Sequence, residues 1–298
     1  TDGGYSINGS RSQDNLITMD GAVATRTRAN GTSIGVADVD TLAEVQILTA
    51  NFNAEYGRSG GGQIRMVTKS GTNELHGNVY EYFRNDRLDA NTWERNRALQ
   101  PREKLRYNQF GYNVSGPVFI PKFYDGRNKF FWLWSQEWVR FRTDNTSIQT
   151  VPTAAFRNGD FSQLLTANPF YSPRQLVDPD TGVPFANNII PQGQLSRNGV
   201  GLLNAYPLPT PGFQQGSNNF IQTRPNPQDQ RKDTIAIDYN ITDSQSLRYR
   251  RQYYDYRVVD AFRGGLDRAV SALYRPNITH SLSHTWTMNP TTINETML

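Results

Sequence analysis

The chain has 298 residues, of which 36% are hydrophobic and 12% aromatic, with a formal net charge of +4 and no cysteine. The absence of cysteine excludes thiol catalysis, thiolate metal sites and disulfides, and the small, dispersed charge gives nucleic-acid binding no support. Low apolar content with many aromatic residues suits a β-barrel wall, but composition alone favours a soluble β protein rich in Asn and Gly over a barrel. No apolar run reaches 18 residues, so no transmembrane helix is expected.

The first 71 residues are predicted to form a small α/β unit. Three glycines at 60–62 indicate a tight turn or a packed junction, because glycine reaches positive φ and admits close backbone contacts. The polar segment 26–35 is predicted to be a loop. The other predicted elements are a strand over 15–19, a turn at 20–21, a strand over 43–49, a short helix or turn over 50–56, and a strand over 63–69.

From His76 onward the pattern changes to long strands with alternating polar and apolar residues. In the segment 108–117, for example, Phe110, Tyr112 and Val114 fall on one face, which is the two-residue period of a strand. Seven strands are predicted, at 75–84, 106–117, 129–142, 231–242, 245–258, 276–288 and 291–298.

The connections between these strands alternate in length. Long connections at 85–105, 143–230 and 259–275 alternate with shorter ones at 118–128, 243–244 and 289–290. Outer-membrane barrels have long extracellular loops and short periplasmic turns, so the pattern favours a barrel over a soluble sandwich. The proline-rich loop 143–230, with a short helix expected over 156–165, is interpreted either as a ligand-contacting cap or as a cover for the barrel mouth.

Charge decides which face of the strand 129–142 points inward. A charged group facing lipid at mid-depth is unfavourable, by about 2–4 kcal/mol for Arg or Lys and less for acids. Glu137 is therefore expected to face the lumen and the three tryptophans to face outward. Arg248, Arg250 and Gln252 share one strand face and are expected to line the lumen too. There they would bind an anionic ligand or pair with carboxylates such as Glu44 or Glu55.

No catalytic, cofactor-binding or metal-binding residues are predicted, and the chain is not expected to be an enzyme. The phosphate-loop, nucleophile-elbow and zinc-protease motifs are absent from the sequence. His280 and His284 lie on one predicted strand, where four residues span about 13 Å, so they cannot share an ion.

Several short motifs, in order, resemble the plug domain of TonB-dependent outer-membrane receptors. Ile17-Thr18-Met19-Asp20-Gly21 resembles the "LDG" strand and turn of the plug. The segments 42–47, 55–58, 61–64 and 67–69 resemble its closing signature, and 70–77 resembles the start of the barrel in the Oar-like branch. The plug-motif residues by this resemblance are Met19, Asp20, Gly21, Glu55, Tyr56, Gly57, Arg58, Gly61, Gly62, Thr68 and Lys69.

The resemblance implies a mainly β fragment: a partial antiparallel transmembrane β-barrel, preceded by a small α/β plug domain. Residues 1–71 would be the C-terminal part of the plug, and 72–298 about the first seven of the 22 strands of such barrels. Because neither terminus looks natural and no signal peptide is seen, the chain is expected to be an internal fragment.

The resemblance also implies a function. The protein would sit in the outer membrane, bind an unidentified ligand outside the cell and import it through a plug-gated barrel. Its partners would be outer-membrane lipid and TonB, whose contact box would lie upstream of Thr1, and no nucleic acid. The alternatives are a surface adhesion or export scaffold on the same barrel, and a soluble β-rich binding module.

Overall fold

The computed structural model describes residues 6–11, 14–25, 38–49, 57, 59–97, 101–167, 172–212, 217–263, 265–266 and 270–298. Three predicted plug residues, Glu55, Tyr56 and Arg58, lie outside these ranges. The predicted helix or turn at 50–56 and the predicted loop at 26–35 lie outside them as well.

The chain divides into two compact units. The first consists of Thr1–Thr143, Pro227–Val258 and Ala272–Leu298, and the second of Asp144–Asn226 and Val259–Ser271. The strands are β1 (Leu16–Met19), β2 (Ala22–Val23), β3 (Leu42–Leu48), β4 (Gln63–Thr68), β5 (His76–Asn85), β6 (Leu105–Pro117), β7 (Phe119–Ile120), β8 (Tyr124–Asp125), β9 (Phe130–Gln149), β10 (Phe220–Thr242), β11 (Gln245–Asp260), β12 (Ser271–Asn289) and β13 (Thr292–Met297). The helices are α1 (Trp93–Arg97), α2 (Ala154–Arg157) and α3 (Arg197–Asn204).

The strands β1–β4 form a four-stranded sheet, here called the small sheet, in the order β2-β1-β4-β3. The central strands β1 and β4 run parallel, and β2 and β3 pair antiparallel at the two edges. Alternate residues of β1 and β4 point into one apolar core, because successive side chains of a strand face opposite ways. That core consists of Ile7, Ile17, Met19, Ala24, Ile64 and Met66.

Seven long strands form a second sheet, here called the wall sheet, in the order β13-β12-β11-β10-β9-β6-β5. Each of these strands lies beside its neighbours in the chain, and the β5–β6, β6–β9, β10–β11 and β12–β13 pairs are antiparallel. The short hairpin of β7 and β8 occupies the connection between β6 and β9. The sheet is an open meander with β5 and β13 at its edges, as a piece of a larger barrel would be.

The predicted alternation in connection length holds only in part, and the strand ends differ from the prediction. The connection after β11, at 261–270, was expected to be long but is shorter than the one between β6 and β9, at 118–129. Strand β9 continues to Gln149 and β10 begins at Phe220, so the predicted loop 143–230 was too long at both ends. The added segments carry polar residues on both faces and therefore lack the alternation by which strands are recognised. Backbone pairing does not need that alternation.

The wall sheet has one apolar face and one polar face, and their burial is the reverse of that in a soluble protein. Large apolar side chains such as Val79, Trp134 and Ile278 are exposed on one face. On the other face Glu137 and Arg250 are buried, with exposures of 1% and 6%. An exposed apolar face of this extent matches the lipid-facing surface of a membrane barrel.

The second unit contains the connection between β9 and β10, and the described parts of this connection are folded. The side-chain amide of buried Asn188 accepts a hydrogen bond from the N–H of Leu176 (2.8 Å) and donates one to the carbonyl of Arg174 (2.7 Å). The predicted helix at 156–165 is wrong: α2 ends at Arg157, because Gly159 adopts a φ of 80° that continues no helix. No helix among the described residues combines the length and apolarity needed to cross a membrane.

Candidate functional site: the small sheet against the wall sheet

The turn after β1 is hydrogen-bonded to the end of β4, the other central strand of the small sheet. Asp20 has a φ of 48° and Gly21 a φ of 83°, left-handed values that Asp tolerates and Gly adopts freely. This turn points the Asp20 carboxylate at the end of β4. The carboxylate accepts hydrogen bonds from the N–H of Thr68 (2.8 Å) and from the Thr68 hydroxyl (3.0 Å).

Arg250 of β11 connects this turn to the wall sheet. Its Nε donates to the Thr68 hydroxyl oxygen (3.0 Å) and lies 3.9 Å from the Asp20 carboxylate. Its Nη1 forms an ion pair with Asp238 of β10 (2.8 Å) and donates to the carbonyl of Ile237 (3.2 Å). The Thr68 hydroxyl therefore accepts from the wall sheet and donates to the small sheet, and a buried guanidinium is shared by two carboxylates.

Two further contacts lie beside the Asp20 turn and Arg250. The side-chain amide of Gln252 contacts the Met19 sulfur, and the thioether of Met297 lies where a side chain on Gly21 would be. Arg248 lies on the same strand face as Arg250 but is exposed. Of the predicted lumen-facing residues on β11, the structure thus places Arg250 and Gln252 against the small sheet.

A second cluster forms where the chain enters β3. Asp38 is 1% exposed, and its carboxylate accepts hydrogen bonds from the Ser135 hydroxyl of β9 (3.0 Å) and from the N–H of Asp40 (3.0 Å). Burial raises the pKa of Asp38 above its usual value, and the nearby Glu137 carboxylate acts in the same direction. Asp38 is therefore the second acidic group through which the small sheet meets the wall sheet.

Glu137, which was predicted to face the lumen, lies beside this contact. It forms an ion pair with Lys232 (2.8 Å) and accepts hydrogen bonds from the Gln109 amide (2.6 Å) and the Tyr80 hydroxyl (3.1 Å). The Tyr80 hydroxyl is also near enough to Asp38 to act on that carboxyl, in the direction that lowers its pKa and against the larger effect of burial, so it lies between the two carboxylates. A hydroxyl has one proton and can donate to only one of them at a time.

The remaining plug-motif residues in the described ranges serve the small sheet itself. The N–H of Gly62 donates to the Asn15 side chain (2.8 Å). A side chain on Gly61 would collide with Ser10 and Asn15, and one on Gly62 with Ile7. The carbonyl of Gly57 accepts from the Gln63 amide (3.3 Å). The Lys69 ammonium donates to the carbonyl of Asp40 (2.8 Å).

Sequence reasoning missed the partners of these residues. Glu44 was proposed as a carboxylate for the arginines, but it is exposed and accepts from the Gln46 amide (2.6 Å). Asp20 meets Arg250 in its place. The alternation of β10 already placed Asp238 on its polar face, which was the available signal for that partner. In the described ranges no group of three or more His, Cys, Asp or Glu is arranged to hold a metal ion.

Comparison with known proteins identifies this architecture. The outer membrane beta barrel domain family matches residues 67–298. The chain is 26% identical to the TonB-dependent transporter Oar of Myxococcus xanthus, over 91% of this chain and 26% of that protein. It therefore spans about a quarter of the length of that relative.

Solved structures agree on the fold. The outer membrane transporter YddB of Escherichia coli superposes with a TM-score of 0.53 at 11% identity, covering 95% of this chain and 30% of that one. The siderophore receptor PirA of Acinetobacter baumannii superposes with a TM-score of 0.52 at 12% identity, covering 98% of this chain and 32% of that one. The chain belongs to the outer membrane beta barrel domain family and is a protein of the outer membrane.

Proposed function

We propose that the chain is part of a TonB-dependent outer-membrane transporter. Residues 1–71 are the C-terminal part of its plug, and residues 72–298 are the N-terminal part of its barrel. The observation that carries the proposal is the set of bonds from Arg250 to Thr68 and Asp20, which docks the small sheet on the polar face of the wall sheet. The name of the Myxococcus relative supports transport and dependence on TonB.

The chemistry of the docking contact suits a part that must move. Groups such as Asp38, Ser135 and Arg250 regain hydrogen bonds from water when they separate, whereas an apolar contact loses its stabilisation outright. The core of the small sheet is apolar and holds that sheet together. The contact that separates most readily is therefore the polar one between the two sheets, and not the inside of the small sheet.

In the proposed cycle, ligand binds on the side of the long connections. TonB, energised by the inner membrane, then pulls the chain upstream of the small sheet, and the polar docking contacts open. The ligand passes between the small sheet and the wall sheet. Closure restores the same hydrogen bonds.

A cysteine introduced at Ser135 tests this cycle, because the chain has no cysteine of its own. Ser135 is 1% exposed beneath Asp38, so its thiol is protected while the sheets are docked. The full-length S135C protein in intact cells is treated with a membrane-impermeant maleimide, with and without the TonB gene. We expect labelling to be several-fold faster with TonB.

The control is L208C, at an exposed position of the second unit, whose labelling should not depend on TonB. Equal labelling rates of S135C in the two strains would contradict energised movement. That result would favour the adhesion or export scaffold.

A further inference from the structure

The outward face of the wall sheet carries a cluster of arginines whose side chains are at least partly exposed, here called the arginine belt: Arg140, Arg142, Arg231 and Arg257. Glu137, Lys232 and Arg250 point to the inward face, and each belt residue lies an odd number of positions from the inward residue of its own strand. Residues at odd spacing face opposite sides, and the strand pairings show no register shift over these positions. The belt therefore faces away from the small sheet.

Three aspartates pair with the arginines of the belt and lie closer to the sheet than the guanidinium groups. Asp229 pairs with Arg142 (2.7 Å) and lies 3.5 Å from Arg140. Asp233 pairs with Arg231 (2.8 Å). The same arrangement recurs on the neighbouring strand, where Asp255 pairs with Arg257 (2.9 Å).

The exposures show which charges reach the surface. The arginine side chains are 38–62% exposed, whereas those of Asp233 and Asp255 are 10% and 9% exposed. Two of the guanidiniums also lie over aromatic rings, Arg231 over Tyr253 and Arg257 over Tyr274. Four guanidiniums held by three carboxylates thus present a positive, oriented surface.

The height of the belt on the sheet locates it in the membrane. Arg231 lies ten residues from Ile241, which is next to the short turn after β10. Ten residues span about 33 Å along a strand, or about 25 Å across a membrane at a tilt near 40°. That is the height of the apolar band of an outer-membrane barrel.

Exposed apolar side chains, including Trp134, Tyr239 and Ile241, occupy the outward face below the belt. The long connections attach to the strand ends above it, so the belt lies at the level of the outer-leaflet headgroups. This placement needs only the membrane orientation of the barrel and does not depend on transport.

We propose that the arginine belt binds the phosphate groups of an outer-leaflet lipid, with the acyl chains of that lipid against the apolar side chains below. Guanidinium groups bind phosphate through paired, charge-assisted hydrogen bonds, and fixed, exposed guanidiniums lose little freedom on binding. The buried aspartates hold the arginines at the surface in the orientation that the phosphates require.

The test uses the full-length protein purified in dodecyl maltoside and titrated with diphosphoryl lipid A or fully dephosphorylated lipid A, with native mass spectrometry as the readout. We expect the phosphorylated form to bind about tenfold more tightly or better, because removal of the phosphates removes the paired, charge-assisted hydrogen bonds from the arginines. Equal binding of the two lipids by the unmodified protein would overturn the proposal, whatever the variants do.

Variants then locate the site. R231Q/R257Q removes two belt guanidiniums, and the control R87Q/R197Q removes the same charge from exposed positions outside the belt. We expect the belt variant to lose the preference for phosphate and the control to keep it, with far-UV circular dichroism verifying the fold of both. Retention of the preference by R231Q/R257Q, or equal loss in both variants, would overturn the assignment.

Discussion

Replacing Arg250 by methionine tests the docking contact directly. The substitution keeps the apolar stem but leaves the buried Asp238 carboxylate without its cation and removes the donor to Thr68. Breaking a buried ion pair by removing one partner costs about 3–5 kcal/mol. The cost should fall on the docked state, because a separated small sheet leaves these groups free to hydrate.

Hydrogen exchange measured by mass spectrometry reads this local opening in the full-length protein in detergent. Amides of β1 and β4 should exchange between about 10² and about 4 × 10³ times faster in R250M, since 1.4 kcal/mol corresponds to a factor of ten. R248M is the matched control, with the same substitution at an exposed position on the same strand face. It should change exchange less than threefold, because surface substitutions are usually within about 0.5 kcal/mol.

A second variant distinguishes the effect of the broken Arg250–Asp238 ion pair from a general loss of the fold. R250M/D238L removes both charges and should recover more than half of the effect, because the orphaned carboxylate is then absent. The reasoning is refuted if R250M leaves β1 and β4 protected. It is also refuted if β5 and β6 open equally, because the damage would then be global.

Three further outcomes are expected. Gly21→Ala should lower the thermal midpoint more than Gly182→Ala: both have positive φ, but only the side chain at 21 meets Met297, and equal shifts would contradict that contact. Asn188→Ala should lower the free energy of unfolding of the second unit by about 2–3 kcal/mol, because it removes buried hydrogen bonds. Limited proteolysis of that unit should become faster, while the protection of β1 should not change. The pKa of Asp38 is raised in the docked state, so docking should weaken as the pH rises from the ordinary aspartate pKa through the raised one. Hydrogen exchange of β3 and β4 should report this pH dependence, and Asp38→Asn should remove it. A pH profile that Asp38→Asn leaves unaltered would contradict the role given to Asp38.

The sequence could predict the faces of the wall strands but not their partners. The two-residue period of β9 and the negative charge of Glu137 were enough to predict that Glu137 faces inward, because a charged side chain facing lipid is unfavourable. The partner of Arg250 lies at Asp20, more than two hundred residues earlier in the chain. Alternation says which way a side chain points and nothing about the group it meets, so Glu44 was as reasonable a candidate as Asp20.

The remaining errors have local causes. The ends of β9 and β10 carry polar residues on both faces, as in Thr146 and Thr223, whose hydroxyls lie 2.9 Å apart. Such segments pair through the backbone without an apolar period, so sequence patterns assign them to a loop. The helix expected at 156–165 ignored Gly159, whose positive φ ends α2 and sends the chain toward Asn188.

The central claim is that one face of the wall sheet contacts lipid while the other faces the plug. Spin labels at the adjacent β12 positions Leu282 and Ser283, each as a single cysteine in the full-length protein in lipid vesicles, test it by collisional relaxation. The label at Leu282 should collide with dissolved oxygen and be shielded from a water-soluble nickel chelate, and the label at Ser283 should show a clearly lower oxygen-to-nickel ratio. Equal ratios at the two positions would contradict the claim.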